Sequence, residues 1–533
     1  MPDTLNKAPD TLIAKSGPFA GMNTFMALAS MVMIVAFVVY TIADVERSSA
    51  VFSAGKAFII STMDWFYVLV ANAALFFSLW LMFSRFGDVK LGKEGDEPDF
   101  STFSWIAMLF SAGLGSGLIY WGVAEPMFHI QGNPFGDEIG LEAGSTAAAV
   151  KAVTVTSFHW GFHGWGLYVL TGLCLAYFAY RNDLPLTPRA ALYPILKDRI
   201  YGFWGHLVDL IAVFGTIFGI ATSLGLGIVP IGAGFERLGI MENNLTNQLI
   251  LVGVITVLGT ASAASGVGKG VRILSEINVM ASLALLVLFI ILGPTAFILG
   301  ITISGVGDYL WNVLPMGFWI DSEPESEWQG WWTIFYWGWW IAWCPFVGMF
   351  IARVSRGRTI REFCLAVLFV PVSVVAIWMG VFGGAAAGVD LFYEAGVVDA
   401  VNEDYARGVY QTIAGFGYDL LTYPMFILVT LLLVSWFVTS SDSGTLVLCT
   451  MLSMGDENPP IRFRIFWGLS AGIVAAVLML AGGLDALQTA SIVAGLPIAV
   501  IVLLMIYGIV KTLHEEHPVP DFADKYDLEF LNR

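Results

Sequence analysis

Residues 328–363 read WQGWWTIFYWGWWIAWCPFVGMFIARVSRGRTIREF, the pattern of a helix that crosses a membrane. Seven of the chain's 19 tryptophans fall within its first sixteen residues, an apolar run of span length follows, and Arg353, Arg356, Arg358 and Arg361 close it. At about 100° per residue, Trp332, Tyr336, Trp339 and Trp343 share a narrow stripe, with Trp340 about 80° to one side. Tryptophan ordinarily gathers at the two headgroup levels, whereas this stripe also occupies mid-span. An indole N–H at that depth needs a partner or a wet cavity, so the stripe faces protein or substrate.

The rest of the chain is of the same kind. It has 533 residues, 57% hydrophobic and 13% charged, and a mean hydropathy of +0.76. This excludes a soluble globule and describes an all-α polytopic membrane protein. The net charge of −17 resides mostly in loops assigned to the outside, and nucleic acid is not a plausible ligand. Cys174, Cys344, Cys364 and Cys449 lie in or at the edge of apolar runs, where they read as small apolar residues rather than a disulfide framework or metal site.

Working outward, apolar runs predict twelve spans, at 22–43, 64–84, 101–124, 149–179, 205–232, 247–265, 276–300, 328–352, 362–386, 421–450, 463–483 and 486–510. Lysine and arginine collect in alternate loops, from Arg85 to Lys93, Arg181 to Arg199, Lys269 to Arg272, Arg353 to Arg361 and Arg462 to Arg464, while 125–147 and 301–327 carry none. The positive-inside rule then puts both termini in the cytoplasm, and the expected location is the plasma (inner) membrane. Arg47 and Lys56, in the first outside loop, run against the pattern. Residues 301–318 look too short and mixed to cross and suit an amphipathic helix along the outer interface.

Three segments carry the chemistry. SAGLGSGLIYWGVAEP, Ser111 to Pro126, sets glycines at 113, 115 and 117 in mid-membrane, each costing roughly 1 kcal/mol against alanine in a helix. Either the helix unwinds there to bind an anionic group and a cation, or small residues allow close helix packing. FHWGFHGWGLY places Trp160, Trp165 and Tyr168 within about 140° of one face. With the eighth-span tryptophans these rings can form a box for a cation that cannot hydrogen-bond, or simply pack. His159 and His163 have metal-like spacing without a further visible ligand cluster, so polar packing is expected. SWFVTSSDSGT offers Thr439, Ser440, Ser441, Asp442 and Ser443 as oxygen ligands for a hard cation, or as hydroxyls bonding back to their own helix.

Taken together, FYWGWWIAW with ARVSRGRTIREF, WGVAEP and HWGFHGW resemble the betaine/carnitine/choline transporter family over nearly the whole chain. The resemblance implies the leucine-transporter-type fold: two accessory spans in 22–100, inverted five-helix repeats in 101–300 (spans 3–7) and 328–511 (spans 8–12), an outer interfacial segment at 301–327 and short cytoplasmic ends at 1–21 and 512–533. It also implies a homotrimer. By resemblance, Trp160, Trp165, Tyr168 and Trp340 box a trimethylammonium-like head, Trp339 and Trp343 line the path, and Leu114, Gly115 and Gly117 line the site. A coupling sodium ion would sit among backbone carbonyls of Ser111, Leu114 and Trp436 and the hydroxyls of Thr439 and Ser440; no organic cofactor is implied. Thr216 and Phe346 match a second family sodium site, but Ile220 replaces its second threonine, leaving Ser223, water or no second ion. Gly117 stands where choline carriers of the family tend to place aspartate, which points to a substrate with its own carboxylate, such as glycine betaine or dimethylsulfoniopropionate. The implied activity is sodium symport. The competing expectations are sodium-independent exchange or proton coupling through Asp442; a channel, a sensor or an enzyme fits the residues less well.

Overall fold

The computed structural model describes residues 12–113, 115–265, 269–323 and 326–518. Among these every regular element is a helix, joined by loops and turns, with an isolated bridge between Lys90 and Thr359. Twelve helical stretches are long and apolar enough to cross a membrane, so the protein is the all-α, multi-pass membrane protein its sequence describes.

The number twelve conceals an exchange of members. The third span is two short helices, Thr102–Gly113 and Ser116–His129, neither long enough to count by itself. Thr295–Gly317 makes up the twelve by length and composition, with 23 residues and a mean hydropathy of 1.3, and it contains all but the last residue of the 301–318 segment expected along the outer interface. Gly293 and Pro294 end the seventh span at Leu292, eight residues before the expected 300, because proline lacks the N–H and disfavours helix in the residue before it. The helix restarts at Thr295 and packs against the fourth and ninth spans.

Other boundaries move outward. Asn23 caps the first span, Thr24–Ala43, by accepting from the Met26 N–H. Asp44 starts the second, Val45–Phe83, whose 39 residues far exceed the expected 64–84. Lys56 is therefore no loop charge. It lies in this helix, 2.6 Å from Asp485 and 4.0 Å from the centre of the Trp331 ring. The ninth span, opened by a Thr359/Glu362 capping box, runs to Tyr393, and short helices over 397–415 follow. Tyr405 and Tyr410 in that segment donate to the carbonyls of Leu226 and Pro230, which lays the segment over the fifth span.

The arginines at the turn between the eighth and ninth spans fasten neighbouring helix ends. Arg358 donates to the Phe100 carbonyl at 2.7 Å and Thr102 Oγ1 at 3.1 Å, with its guanidinium 4.5 Å from the centre of the Trp105 ring, and Arg361 donates to the Met82 carbonyl at 3.1 Å. These cations satisfy or flank groups that helix ends leave open.

The fourth span, expected unbroken over 149–179, is notched at Gly161, between Thr146–Trp160 and Phe162–Ala176. The freed Phe162 N–H donates to Tyr309 Oη at 2.8 Å. A Cβ at 161 would overlap both Tyr309 Oη and the Ser157 carbonyl. Gly161→Ala is therefore expected to destabilise the protein by about 1–3 kcal/mol through overpacking. A fall of several degrees in the detergent melting temperature would register it, and an unchanged melting temperature would show that the notch tolerates a side chain.

Candidate substrate and ion site

The eighth span begins with a wide turn at Gly330–Ile334 and continues as Phe335–Val354. Its aromatic stripe serves two places. Trp332 and Tyr336 pack towards Trp121, His129 and His159 on the third and fourth spans, whereas Trp339, Trp340 and Trp343 line a cavity of about 270 Å³. Trp160, Trp165 and Tyr168 line the same cavity from the fourth span.

The rings meet as walls. Trp339 and Trp340 stack at 5.1 Å and 9°, and Trp160 stands across Trp340 at 5.0 Å and 70°. Tyr168 faces Trp340 at 6.4 Å and 75°, and Trp165 stands on Tyr168 at 5.4 Å and 86°. Two glycines make room for this closeness. A Cβ at Gly164 would come 2.8 Å from Trp340 Cδ1, and one at Gly117 would come 3.0 Å from Trp160 Cη2. Each indole of the stacked pair is anchored: Trp340 Nε1 donates to the His159 carbonyl at 2.8 Å, and Trp339 Nε1 to Ser223 Oγ at 3.1 Å.

The glycine segment combines the two alternatives left open by sequence. The helix is interrupted before Ser116, with Gly115 extended at φ −163° and ψ 169°, and no side chain caps the new N-terminus. Gly115 lines the cavity, and a Cβ there would meet nothing within 4 Å, so its role is not close packing. Gly117, by contrast, is packed against Trp160. Leu114 lies outside the described residues, as does the side chain of Ser111, whose backbone belongs to the helix that precedes the break.

On the opposite wall the tenth span, Asp419–Leu452, contributes Trp436, Thr439, Ser440 and Ser443. Thr439 Oγ1 donates to the Trp436 carbonyl at 2.9 Å, so the hydroxyl keeps its oxygen lone pairs for another partner. The expected ion ligands on this span thus border the same space as Gly115. Asp442 does not; it is buried beside the sixth span, accepting from Ser262 Oγ at 2.8 Å. Phe346 lines the cavity, but Thr216 is buried away from its lining, with a hydroxyl that has no hydrogen-bond partner among the described residues. Ile220 points at Gly444, and Ser223 is engaged by Trp339 and the Gly219 carbonyl.

The cavity is asymmetric about the rings. Its lining continues past Trp343 to Phe350, Ser275 and Ser443, towards the arginine-bearing end of the eighth span. On the other side Trp121 stacks on Tyr405 at 5.2 Å and 7°. No aspartate, glutamate, lysine or arginine occurs among the described lining residues.

One constellation escaped the sequence reading. His159 and His163 do not act together: His163 stacks on Trp337 and lies 3.2 Å from Asn72 Oδ1, whereas His159 joins Glu125 and His129 in a buried cluster whose ligand-type atoms lie within 4.8 Å. The expectation that no further ligand cluster exists is corrected. Glu125 stands in the WGVAEP segment, and its spacing to His129 is one helical turn, the signal that could have drawn attention to it.

The chain matches the family model described as "BCCT, betaine/carnitine/choline family transporter" over residues 25–518. It is 41% identical over 500 residues to a probable glycine betaine transporter of Desulfitobacterium hafniense, covering 93% of this chain and 98% of that one. It is 39% identical over 495 residues to the glycine betaine transporter OpuD of Bacillus subtilis, with 92% and 94% covered. An osmo-dependent choline transporter of Acinetobacter baylyi is 38% identical over 505 residues, with 93% and 72% covered.

Proposed function

Because the chain belongs to the betaine/carnitine/choline family of transporters, we propose that it imports a small zwitterion with a methylated onium head, glycine betaine or its sulfonium analogue dimethylsulfoniopropionate, together with sodium. The observation that carries this reading is the composition of the cavity wall: aromatic rings from two spans, an uncapped helix N-terminus, hydroxyls, and no charged side chain among the described lining residues. A trimethylated head has no N–H to satisfy and is attracted by ring faces. A carboxylate suits the open N–H groups at Ser116 and Gly117, where the helix dipole favours an anion. A zwitterion answers both without needing a protein counter-charge.

The coupling ion is the finer part of the proposal. A hard cation prefers oxygen ligands, and Thr439, Ser440 and the interrupted third span border one space. Sodium would there order the break that the substrate also uses, which links the two binding events. In proteoliposomes, uptake should concentrate betaine only with an inward sodium gradient, and Thr439→Ala should raise the sodium concentration for half-maximal uptake at least about tenfold, the loss of one charge-assisted ligand. Equal uptake with potassium replacing sodium would instead support exchange. Proton coupling through Asp442 is disfavoured by its position outside the lining.

Under the positive-inside orientation both termini are cytoplasmic, and the arm of the cavity running to Phe350, Ser275 and Ser443 is the cytoplasmic vestibule of an inward-facing state. The homotrimer remains part of the proposal, to be tested by native mass measurement in detergent.

A further inference from the structure

Glu125 lies behind the aromatic box, in the second half of the broken third span, and is fully buried. Trp160 Nε1 donates to its Oε2 at 2.9 Å, and Tyr336 Oη donates to the same oxygen. His159 Nδ1 lies 2.6 Å from Oε1. With Glu125 ionised, Oε1 only accepts, so that ring nitrogen carries the proton and Nε2 accepts from Thr333 Oγ1 at 3.1 Å. The backbone carbonyl of the same His159 holds Trp340 Nε1. One side chain and its histidine partner thereby reach rings on both walls of the box.

Among the described residues no lysine or arginine pairs with this acid. Its ion-pair partners there are His159 and, at 3.5 Å, His129. Burying a carboxylate without a counter-charge is costly even when donors surround it. The group that would complete the arrangement is a cation on the far side of Trp160. A carboxylate at the indole N–H also polarises the ring so that its faces become more attractive to a cation.

Glu125, His129 and His159 together have the composition of a metal site. The hydrogen bonds argue otherwise, since the indole N–H on Oε2 can only donate and His159 Nδ1 occupies Oε1. A metal would have to displace donors that the packed rings hold in place.

We propose that Glu125 is a positioning residue that sets specificity: acting through Trp160, Tyr336 and His159, it keeps the box in register and makes the site select a cationic head over a neutral head of the same shape. This rests on the reading of the cavity as a box for an onium group. The closing experiment compares glycine betaine with its carbon isostere, 3,3-dimethylbutanoate, as competitors of labelled betaine uptake in proteoliposomes. The wild-type protein should prefer betaine by about a hundredfold, from desolvated cation–π attraction summed over several rings. Glu125→Gln should lower that preference at least about tenfold by weakening betaine while leaving the isostere unchanged, whereas a purely structural role would weaken both alike. A preference retained in Glu125→Gln would overturn the proposal alone. A wild-type protein that does not discriminate would overturn the onium-box reading and this proposal with it. Should the glutamine variant fail to fold, Glu125→Asp, with the same charge one methylene back, must keep the preference within about threefold while raising KM; loss of preference in that variant would equally overturn the proposal.

Discussion

Trp340→Leu is expected to reduce betaine uptake at least about a hundredfold while the protein still folds and elutes as wild type. The indole stacks on Trp339 at 5.1 Å, stands across Trp160 at 5.0 Å and faces Tyr168 at 6.4 Å, so it touches rings of both spans that wall the box. A desolvated cation over an indole is worth about 2 kcal/mol or more, about thirtyfold in affinity at 1.4 kcal/mol per decade. Leucine also leaves the His159 carbonyl without its indole donor and opens the wall. The fold should survive, because Trp340 borders a cavity and its loss enlarges existing space rather than creating a new void in the core. The measurement is initial uptake alongside size-exclusion profile and melting temperature. Uptake within threefold of wild type would remove the box from the mechanism.

The second large effect is expected from Gly117→Asp. A Cβ at this position points between Trp160 Cη2, at 3.0 Å, and Trp339 Cη2, at 3.9 Å, into the space proposed for the onium head. A carboxylate there would neutralise a choline-like cation. It would also repel the carboxylate of a zwitterion, by roughly 3 kcal/mol for charges about 6 Å apart at an effective dielectric constant of about 20. That corresponds to about a hundredfold weaker betaine binding. Trp160 must also yield by a few tenths of an ångström. Betaine uptake should therefore collapse, and choline should become the better competitor of what remains. An aspartate variant that transports betaine as before, with no gain for choline, would show that Gly117 does not govern the choice between zwitterion and cation.

Specificity on this view has two layers on one ring. Gly117 abuts the outer edge of the Trp160 ring at Cη2, and Glu125 takes its N–H at the other end. Substitution at the outer edge changes what fits, whereas substitution at the N–H end changes how strongly a positive charge is felt. The Glu125→Gln selectivity ratio and the Gly117→Asp substrate switch are accordingly separable measurements.

The interrupted third span illustrates where one-dimensional reading stops. Alternating glycines at 113, 115 and 117 signal something costly in a helix, but the sequence leaves both unwinding and close packing open. In the folded chain the two meanings belong to different residues, Gly115 in the break and Gly117 under Trp160. The notch at Gly161 carried less warning, because a single glycine in an apolar run is compatible with an unbroken helix. It becomes a notch through Tyr309, 148 positions away in sequence (309 − 161), whose hydroxyl takes the Phe162 N–H. The helix that contains most of 301–318 likewise starts earlier than the apolar pattern suggested, at Thr295 after Pro294.

What the amino-acid order decided by itself was everything that depends on local periodicity and on transfer from water to lipid. Runs of apolar residues long enough to span a bilayer, the arginine ends and the aromatic stripe on the eighth span are additive, short-range properties, and they specified an all-helical membrane protein and the residue types of its site. The tertiary structure alone decided which histidine meets Glu125, that Asp442 turns to Ser262 instead of the cavity, and that Lys56 pairs with Asp485. Each is a choice of partner for a buried polar group. Such a group must find a donor or acceptor wherever packing brings one, and packing couples residues tens to hundreds of positions apart that no local pattern connects.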